Sequence, residues 1–290
     1  MAPAPVVAPA PTKGGQATVT VDSTIDMPTF RKFARLVYDR AGIKLGPHKR
    51  ALVCARVAKR MRQLGIRKHR DYFRAIEEDA SGSEAVELLN AISTNVTQFF
   101  REARHFGLLD RLLKGWEANG QTRFRIWCAA CSTGEEPYSV AIAASEALES
   151  IYDTKILATD ISTKALARAR EGAYEPRHVE HVPNRMLLKY FERRNGSEPV
   201  HYLASEELRR MITFGRINLS KPPFPLKGPL DVIFCRNVMI YFDNEVRRRL
   251  LADMYRLLKR GGYLMVGHAE SLSGMLSDFK SVEPSVYVKR

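Results

Sequence analysis

The chain has 290 residues, of which 45% are hydrophobic and 27% are charged, and its formal net charge is +14. A chain of this length can form one large domain, or a small domain joined to a medium one. No apolar run is long enough to span a membrane, and four cysteines are too few for a disulfide-stabilised secreted protein, so we expect a cytoplasmic protein without membrane insertion.

The first quarter of the chain predicts a helical module behind a tail. Residues 1–24 are rich in Ala, Pro and Val and predict a disordered tail. Residues 25–92 predict helices at 27–40, 48–64, 71–76 and 83–92. Between Met27 and Ala80 there are 15 Lys and Arg against 5 Asp and Glu, so most of the excess charge lies here. We expect this segment to meet an acidic partner.

The helix predicted at 48–64 separates its apolar and basic residues. Val53, Cys54, Val57, Met61 and Leu64 share one face, and the basic residues on the other face are Lys49, Arg56, Lys59 and Arg60. The simpler interpretation is solvated charge. However, the basic face has no compensating Glu at i±4 spacing, so its cations repel one another. The pattern therefore favours an acidic docking surface.

Residues 93–106, STNVTQFFREARHF, form a linker between this module and the rest of the chain. Periodicity alone predicts a capped helix, with Asn95 or Thr97 as the N-cap. The segment nevertheless carries more polar groups than a linker needs.

Residues 123–144 predict a buried strand, a turn at Ser132-Thr133-Gly134, and a helix that opens with Glu135-Glu136-Pro137. A second strand ends in Asp160, about where a doubly wound α/β sheet places a ribose-binding carboxylate. A plain βα unit without a ligand has much the same pattern. Because the turn lacks phosphate-cradling glycines, S-adenosylmethionine fits the motif better than a nucleotide di- or triphosphate.

The remaining elements are less regular. A helix is predicted at 164–171, and the residues that follow, around an Asn195-Gly196 turn, predict a small antiparallel hairpin insert. Strands are predicted at 211–218, 231–235 and 262–267, with a helix at 245–259 that stops at Gly261-Gly262 and a last edge strand at 285–289. Cys128-x-x-Cys131 lacks a second pair, so we expect neither a metal site nor redox chemistry there.

Several strings occur together and in order: NVTQFFRE (95–102), CSTGEEPYS (131–139), ATDIS (158–162), GRINL (215–219), FCRNVMIYFD (234–243) and GHAESL (267–272). In these strings the chain resembles the CheR-type chemotaxis receptor methyltransferases, which transfer a methyl group from S-adenosylmethionine to glutamate side chains of bacterial chemoreceptors. The resemblance runs from about Met27 to the end. It implies an α/β fold with a Rossmann-like methyltransferase sheet at 107–290, a small antiparallel β-subdomain insert at about 186–214, an all-helical N-terminal domain at 25–92, and a linker at 93–106 that contributes to the site.

The resemblance also assigns residues by motif. The implied catalytic residues are Arg101 and Tyr241, and the implied cofactor contacts are Asn95, Thr97, Arg101, Glu135, Asp160, Asn218, Leu219, Arg236 and Asn237, with Glu136 able to exchange roles with Glu135. The implied cofactor is S-adenosylmethionine, and the implied product is S-adenosylhomocysteine. The implied acidic partner is the cytoplasmic helical bundle of chemoreceptors. The β-subdomain of this family can bind a receptor C-terminal pentapeptide, and the sequence leaves open whether this one does.

The residue types suit that chemistry. A glutamate side chain has a reference pKa of about 4.3, so the acceptor is already an anion and needs no general base. Arg101 can orient the carboxylate and the Tyr241 hydroxyl can fix one oxygen, which leaves His105 and His268 with structural roles. The alternative is a nucleic-acid amino-methyltransferase, which the basic charge would also suit. Such enzymes often carry an Asn/Asp-Pro-Pro-aromatic string at the end of the fourth strand. In this chain Lys221-Pro-Pro-Phe224 comes before the strand at 231–235 and not after it, which disfavours the alternative.

Overall fold

The computed structural model describes residues 20–194, 200–270, 272, 275 and 278–290. Its N-terminal part consists of α1 (Met27–Ala41), α2 (Arg50–Gln63), α3 (His69–Glu78) and α4 (Ser83–Ile92), with a 3-10 turn at Pro47–Lys49 before α2. The apolar faces of these helices meet in one core around Phe33, Val57 and Tyr72, which are fully buried. The helical module is therefore a unit with its own core. We call it the helical domain.

The predicted tail overlaps this domain at its end. Residues 1–19 lie outside the described residues, but the Asp22 backbone N–H donates to the Arg67 carbonyl (3.0 Å) and the Cys54 thiol donates to the Ser23 carbonyl (3.3 Å). Val21 packs against the helical core. Residues 21–23, at the end of the predicted tail, thus contact the helical domain.

The larger part of the chain is built on a seven-stranded sheet with the order β6-β2-β1-β7-β8-β10-β9. Its strands are β1 (Phe124–Cys128), β2 (Thr154–Asp160), β6 (Ile212–Arg216), β7 (Leu230–Cys235), β8 (Leu258–Val266), β9 (Phe279–Glu283) and β10 (Val286–Lys289). The first five strands in space are parallel, and β10 and β9 are antiparallel additions. Chain order reverses at β1, which lies between β2 and β7.

Helices cover both faces of this sheet. They are α5 (Arg104–Ala118), α6 (Glu135–Ala147), α7 (Thr163–Glu171), α10 (Glu206–Met211) and α11 (Asn244–Leu257), whereas α8 (Pro176–Val179) and α9 (Asn184–Tyr190) pack against a second, smaller sheet. Alternate residues of β1 enter opposite apolar cores, Ile126 with α5 and α6 and Trp127 with α11. This is the layered α/β architecture that the sequence predicted. None of the helices in the described part of the chain is both long enough and apolar enough to cross a membrane.

A small three-stranded antiparallel sheet follows α7, in the order β3-β5-β4. Its strands are β3 (Ala173–Tyr174), β4 (Phe191–Arg194) and β5 (His201–Ala204). The antiparallel insert is present, but its limits differ from the predicted 186–214. It begins at β3, and residues from Ile212 onward pair in parallel with β2 in the main sheet. The predicted Asn195-Gly196 turn lies outside the described residues.

The C-terminal prediction needs two corrections. Helix α11 ends at Leu257, before Gly261, and the chain passes directly into β8. The last strand, β10, is not an edge strand, because it lies between β8 and β9. Sequence analysis missed β9, whose Lys280, Ser281 and Val282 are exposed and give little apolar alternation.

Candidate active site

A cleft of about 920 Å³, open to solvent at its mouth, lies where the parallel strands β1, β2 and β7 end. In a doubly wound sheet, ligands bind at this edge where chain order reverses. The cleft is lined by all of the predicted cofactor and catalytic residues except Glu135, namely Asn95, Thr97, Arg101, Asp160, Asn218, Leu219, Arg236, Asn237 and Tyr241.

Asp160 stands at the end of β2 with its carboxylate bound to two turns. Oδ2 accepts from the Ser132 N–H and Oδ1 from the Ser162 N–H, each at 2.8 Å. Burial raises the pKa of Asp160, and these backbone hydrogen bonds oppose that shift. The same carboxylate therefore fixes the turns after β1 and β2 and presents its remaining lone pairs to the cleft.

The turn after β1 requires unusual backbone angles. Ser132 has φ +49° and Gly134 has φ +101°. A Cβ on Gly134 would lie 2.6 Å from the Tyr174 hydroxyl and 3.1 Å from the Ala169 Cα, so only glycine fits. Helix α6 begins directly after this glycine, and its first turn carries Glu135 and Glu136.

The two glutamates point to different places, and this bears on the prediction for Glu135. Glu135 is buried outside the cleft, where its Oε2 accepts from the Thr133 hydroxyl (2.7 Å). Glu136 lines the cleft instead. Burial raises the pKa of Glu136 to about 7, against the opposing effect of Arg236. Of the two glutamates, Glu136 therefore lies at the cleft and Glu135 does not.

Arg236, the residue after β7, is engaged inside the protein. Its side chain is 2% exposed, and it donates to Glu102 (3.3 Å), to Glu136 (3.4 Å) and to the backbone carbonyl of Arg101. This guanidinium joins the linker, α6 and the end of β7 in one network. Arg236 thus lines the cleft and at the same time anchors Arg101.

Glu102, His105 and His268 form a cluster beneath the linker. Their possible ligand atoms lie within 4.8 Å of one another. His105 is buried without a hydrogen-bond partner among the described residues, and burial lowers its pKa to about 4. Glu102 is already paired with Arg236, whose positive charge disfavours a second cation here.

The linker is not the capped helix that periodicity favoured. Residues 93–103 form no regular helix, and Phe100 and Glu102 have φ of +54° and +58°. Phe99 is buried edge-on against Tyr174 and Phe191, and the Phe100 N–H donates to the Ser139 hydroxyl (2.9 Å). The apolar pair is therefore the anchor that holds the neighbouring polar side chains at the cleft.

The helical domain forms part of the cleft, which the sequence did not predict. Ala41, the last residue of α1, and Ile43, just after the helix, line it. The Lys44 N–H donates to the Tyr241 carbonyl (2.9 Å), and the Asn218 side chain donates to the Arg40 carbonyl (2.6 Å). Two residues assigned to the site are thus held in part by the other domain.

Glu270 is a residue near the cleft to which sequence analysis assigned no role. Its buried carboxylate accepts from four backbone N–H groups, those of Asn237 and Gly267 at 2.7 Å, Met239 at 2.7 Å and Ile240 at 3.3 Å. It therefore fixes the loop that carries Asn237, whose φ is +57°, and leads to Tyr241. The sequence feature that could have indicated Glu270 is an acidic residue in the GHAESL string to which no role was assigned.

The basic face of α2 divides into two kinds of residue. Lys49 and Lys59 are exposed. Arg60 is paired with Glu84 of α4 through two bonds of 2.9 and 2.6 Å, and Arg56 donates to the Ile92 carbonyl and to the Thr94 hydroxyl (3.0 Å). The compensating glutamate, absent at i±4, comes from a neighbouring helix. Arg56 and Arg60 thus hold the domain together.

Two buried oxygen atoms at the cleft have no hydrogen-bond partner among the described residues, Oε1 of Glu136 and Oγ of Ser132. Unpaired buried polar atoms are costly in a folded protein, so such atoms in a cleft suit hydrogen bonds to a ligand. A carboxylate oxygen accepts only, and it would favour a cationic or hydrogen-donating group.

Comparison with known proteins identifies both parts of the chain. A family model described as "CheR methyltransferase, SAM binding domain" matches residues 95–288, and one described as "CheR methyltransferase, all-alpha domain" matches residues 28–93.

Curated relatives agree. A chemotaxis protein methyltransferase of Klebsiella aerogenes is 39% identical over 89% of this chain and 88% of its own length. The chemotaxis protein methyltransferase of Escherichia coli is 37% identical over 89% of each chain. That of Borreliella burgdorferi is 34% identical over 89% of this chain and 93% of its own.

Proposed function

This chain belongs to the CheR methyltransferase family, and we propose that it transfers methyl groups from S-adenosylmethionine to glutamate side chains of a chemoreceptor. It is an S-adenosylmethionine-dependent methyltransferase of chemotaxis. The observation that carries the choice of acceptor is that Arg101 and Tyr241 both line a cleft whose described lining contains no His, Cys or Lys. Such a lining suits an acceptor that is already an anion.

The residues at the cleft fit the cofactor. Asp160 would accept from the ribose hydroxyls, and the unpaired oxygen of Glu136 would accept from the cationic methionine end. Asn218 and Leu219 would line the adenine side, with Asn95 and Thr97 on the linker side. When bound, the cofactor supplies an electrophilic methyl group on a sulfonium. We propose Glu136 in this role in place of Glu135.

Arg101 and Tyr241 would position the acceptor. Arg101 uses one N–H for the Val96 carbonyl (3.2 Å), and a guanidinium has four more to offer to a carboxylate. The Tyr241 hydroxyl would fix one carboxylate oxygen. Removing the acceptor from water costs free energy, which a fixed cation and hydroxyl offset in part. The proposed contribution of these residues is therefore orientation and charge neutralisation, without proton transfer.

Radiolabelled S-adenosylmethionine and a receptor cytoplasmic fragment test this proposal. Methyl esters of glutamate hydrolyse in mild alkali, so the transferred label should be released there, whereas label on amines or nucleobases stays. A fragment whose accepting glutamates are changed to glutamine is the control and should take up no label. Alkali-stable label on the receptor would refute the choice of acceptor.

The nucleic-acid alternative is not favoured, because the family models and relatives are chemotaxis methyltransferases. The basic charge then needs another explanation. Lys49, in the 3-10 turn before α2, and Lys59, on α2, are exposed, and we place the acidic receptor bundle against this part of the helical domain. Reversal of Arg56 or Arg60 would be a poor test, since it would break contacts within the helical domain. Arg248 and Arg249, exposed on α11, give a matched control pair.

The small sheet offers a place for a receptor C-terminal peptide. Strand β4 pairs with β5 alone among the described strands, so its other edge can take an added strand. Arg193 and Arg194 on β4 are exposed and would attract a peptide carboxylate. A fluorescent acidic receptor-tail peptide should bind the wild type and lose affinity in Arg193→Glu/Arg194→Glu. Equal binding by both proteins would place the peptide elsewhere.

A further inference from the structure

Asn90 is a polar residue in an apolar setting. It lies on α4 between Leu89 and Ile92, and it is 9% exposed. Its side chain leaves the helical domain and reaches the start of α7 in the methyltransferase domain. Oδ1 accepts from the Ser162 hydroxyl (3.0 Å), and Nδ2 donates to the Thr163 hydroxyl (3.0 Å). The oxygen and the nitrogen of this buried amide both have hydrogen-bond partners. Replacing it by an apolar group therefore costs folding free energy.

Ser162 connects Asn90 to the cofactor site. It is fully buried, and its hydroxyl also accepts from the Ala165 N–H (3.2 Å) as the N-cap of α7. Its backbone N–H donates to Oδ1 of Asp160 (2.8 Å). The contacts therefore run without a gap from the helical domain through Asn90 and Ser162 to the Asp160 carboxylate, which we propose binds the ribose.

We propose that Asn90 is a positioning residue for the cofactor site, fixing the turn at Ser162 so that Asp160 presents its carboxylate to the ribose hydroxyls. This inference rests on the proposed role of Asp160. It would give the helical domain, which we propose docks the receptor, a second role in cofactor affinity. The competing explanation is that Asn90 only helps to hold the two domains together.

A second contact across the same interface separates these explanations. Glu87 lies one helical turn before Asn90 and forms an ion pair with Lys164 of α7, so it joins the same two helices. Its side chain forms no hydrogen bond or ion pair with Ser162 or Asp160, which are both among the described residues. Glu87→Gln is therefore a matched control that weakens the interface without touching the turn.

The experiment measures binding of S-adenosylhomocysteine to the full chain by calorimetry. Asn90→Leu should raise Kd by about tenfold, the effect of losing one net hydrogen bond. Asn90→Asp keeps an oxygen that accepts from Ser162, and it should stay within about threefold of wild type. Glu87→Gln should bind as wild type does. In assays of methyl transfer, Asn90→Leu should raise KM for S-adenosylmethionine while kcat at saturation stays close to wild type.

Ser162→Ala provides an independent route if Asn90→Leu does not fold. It removes the hydroxyl from the other side, and its effect on Kd should not add to that of Asn90→Leu. Unchanged Kd in Asn90→Leu, or equal weakening by Glu87→Gln, would overturn the positioning role. The variant Asp160→Ala tests the ribose assignment separately from the positioning role of Asn90. If Asp160→Ala binds normally, the ribose assignment fails; if it binds weakly while Asn90→Leu binds normally, only the inference about Asn90 fails.

Discussion

Replacing Glu136 by glutamine should change how the stability of the cofactor-free protein depends on pH. The Glu136 carboxylate is largely buried beside the cleft, and burial raises its pKa from 4.5 to about 7. Arg236 opposes this shift, while the carboxylates of Glu102 and Glu270 add to it. Burial lowers the pKa of His105 to about 4, so that ring stays neutral across the range in question.

The direction of this pH dependence follows from whether the folded or the unfolded protein binds the Glu136 proton more tightly. Because the folded protein holds the Glu136 proton up to about pH 7 and the unfolded chain releases it near 4.5, the folded state loses relative stability as pH rises between these values. The full effect is about 3 kcal/mol, since one pKa unit corresponds to roughly 1.4 kcal/mol. Between about pH 5.5 and pH 8 the wild type should lose about 2 kcal/mol that Glu136→Gln does not lose.

Urea unfolding of both proteins across this range measures the difference, and other titrating groups cancel when one curve is subtracted from the other. Calorimetry adds a second measurement. Ionised Glu136 attracts the cationic methionine end, so wild-type affinity for S-adenosylmethionine should rise with pH through about 7 and that rise should vanish in Glu136→Gln. If the stability of the wild type and of Glu136→Gln changes equally with pH, and their affinities for S-adenosylmethionine do so as well, Glu136 does not lie beside the cofactor.

Three further predictions concern the residues assigned to the site. Asp160→Ala should weaken cofactor binding by about 1.5–3 kcal/mol, the value of hydrogen bonds to a charged group, and calorimetry on the folded variant checks this. Arg101→Ala and Tyr241→Phe should lower kcat more than they raise the cofactor Kd, because their partners are the reacting groups; wild-type turnover at saturating substrate would remove either residue from catalysis. Lys49→Glu/Lys59→Glu should raise KM for receptor and flatten its salt dependence, because screening acts over about 8 Å at physiological ionic strength. The control reversals on α11 should leave both kinetic quantities unchanged, and an unaltered KM in the α2 variant would mean that the receptor docks elsewhere.

Local sequence determined the elements that carry the site. Ser132-Thr133-Gly134 marks the turn after β1, and the run that ends in Asp160 marks β2, because strand periodicity and turn residues act over a few neighbours. The helix at Ser83–Ile92 was predicted with its observed bounds for the same reason. The motif strings then placed Asn95, Arg101 and Tyr241, all of which line one cleft.

Tertiary structure decided which partner each polar side chain has. Periodicity put Arg60 on a polar face, but only the packing of α4 against α2 brings Glu84 within 2.6 Å of it. Glu135 and Glu136 are neighbours in a helix, so they point about 100° apart, and the sequence alone does not say which one faces the cleft. Asn90 lies on the helix predicted at 83–92, but its contact with Ser162, 72 residues away, depends on how the two domains meet. Local patterns report which side of an element is buried, whereas the groups it is buried against are set by contacts between residues far apart in the chain.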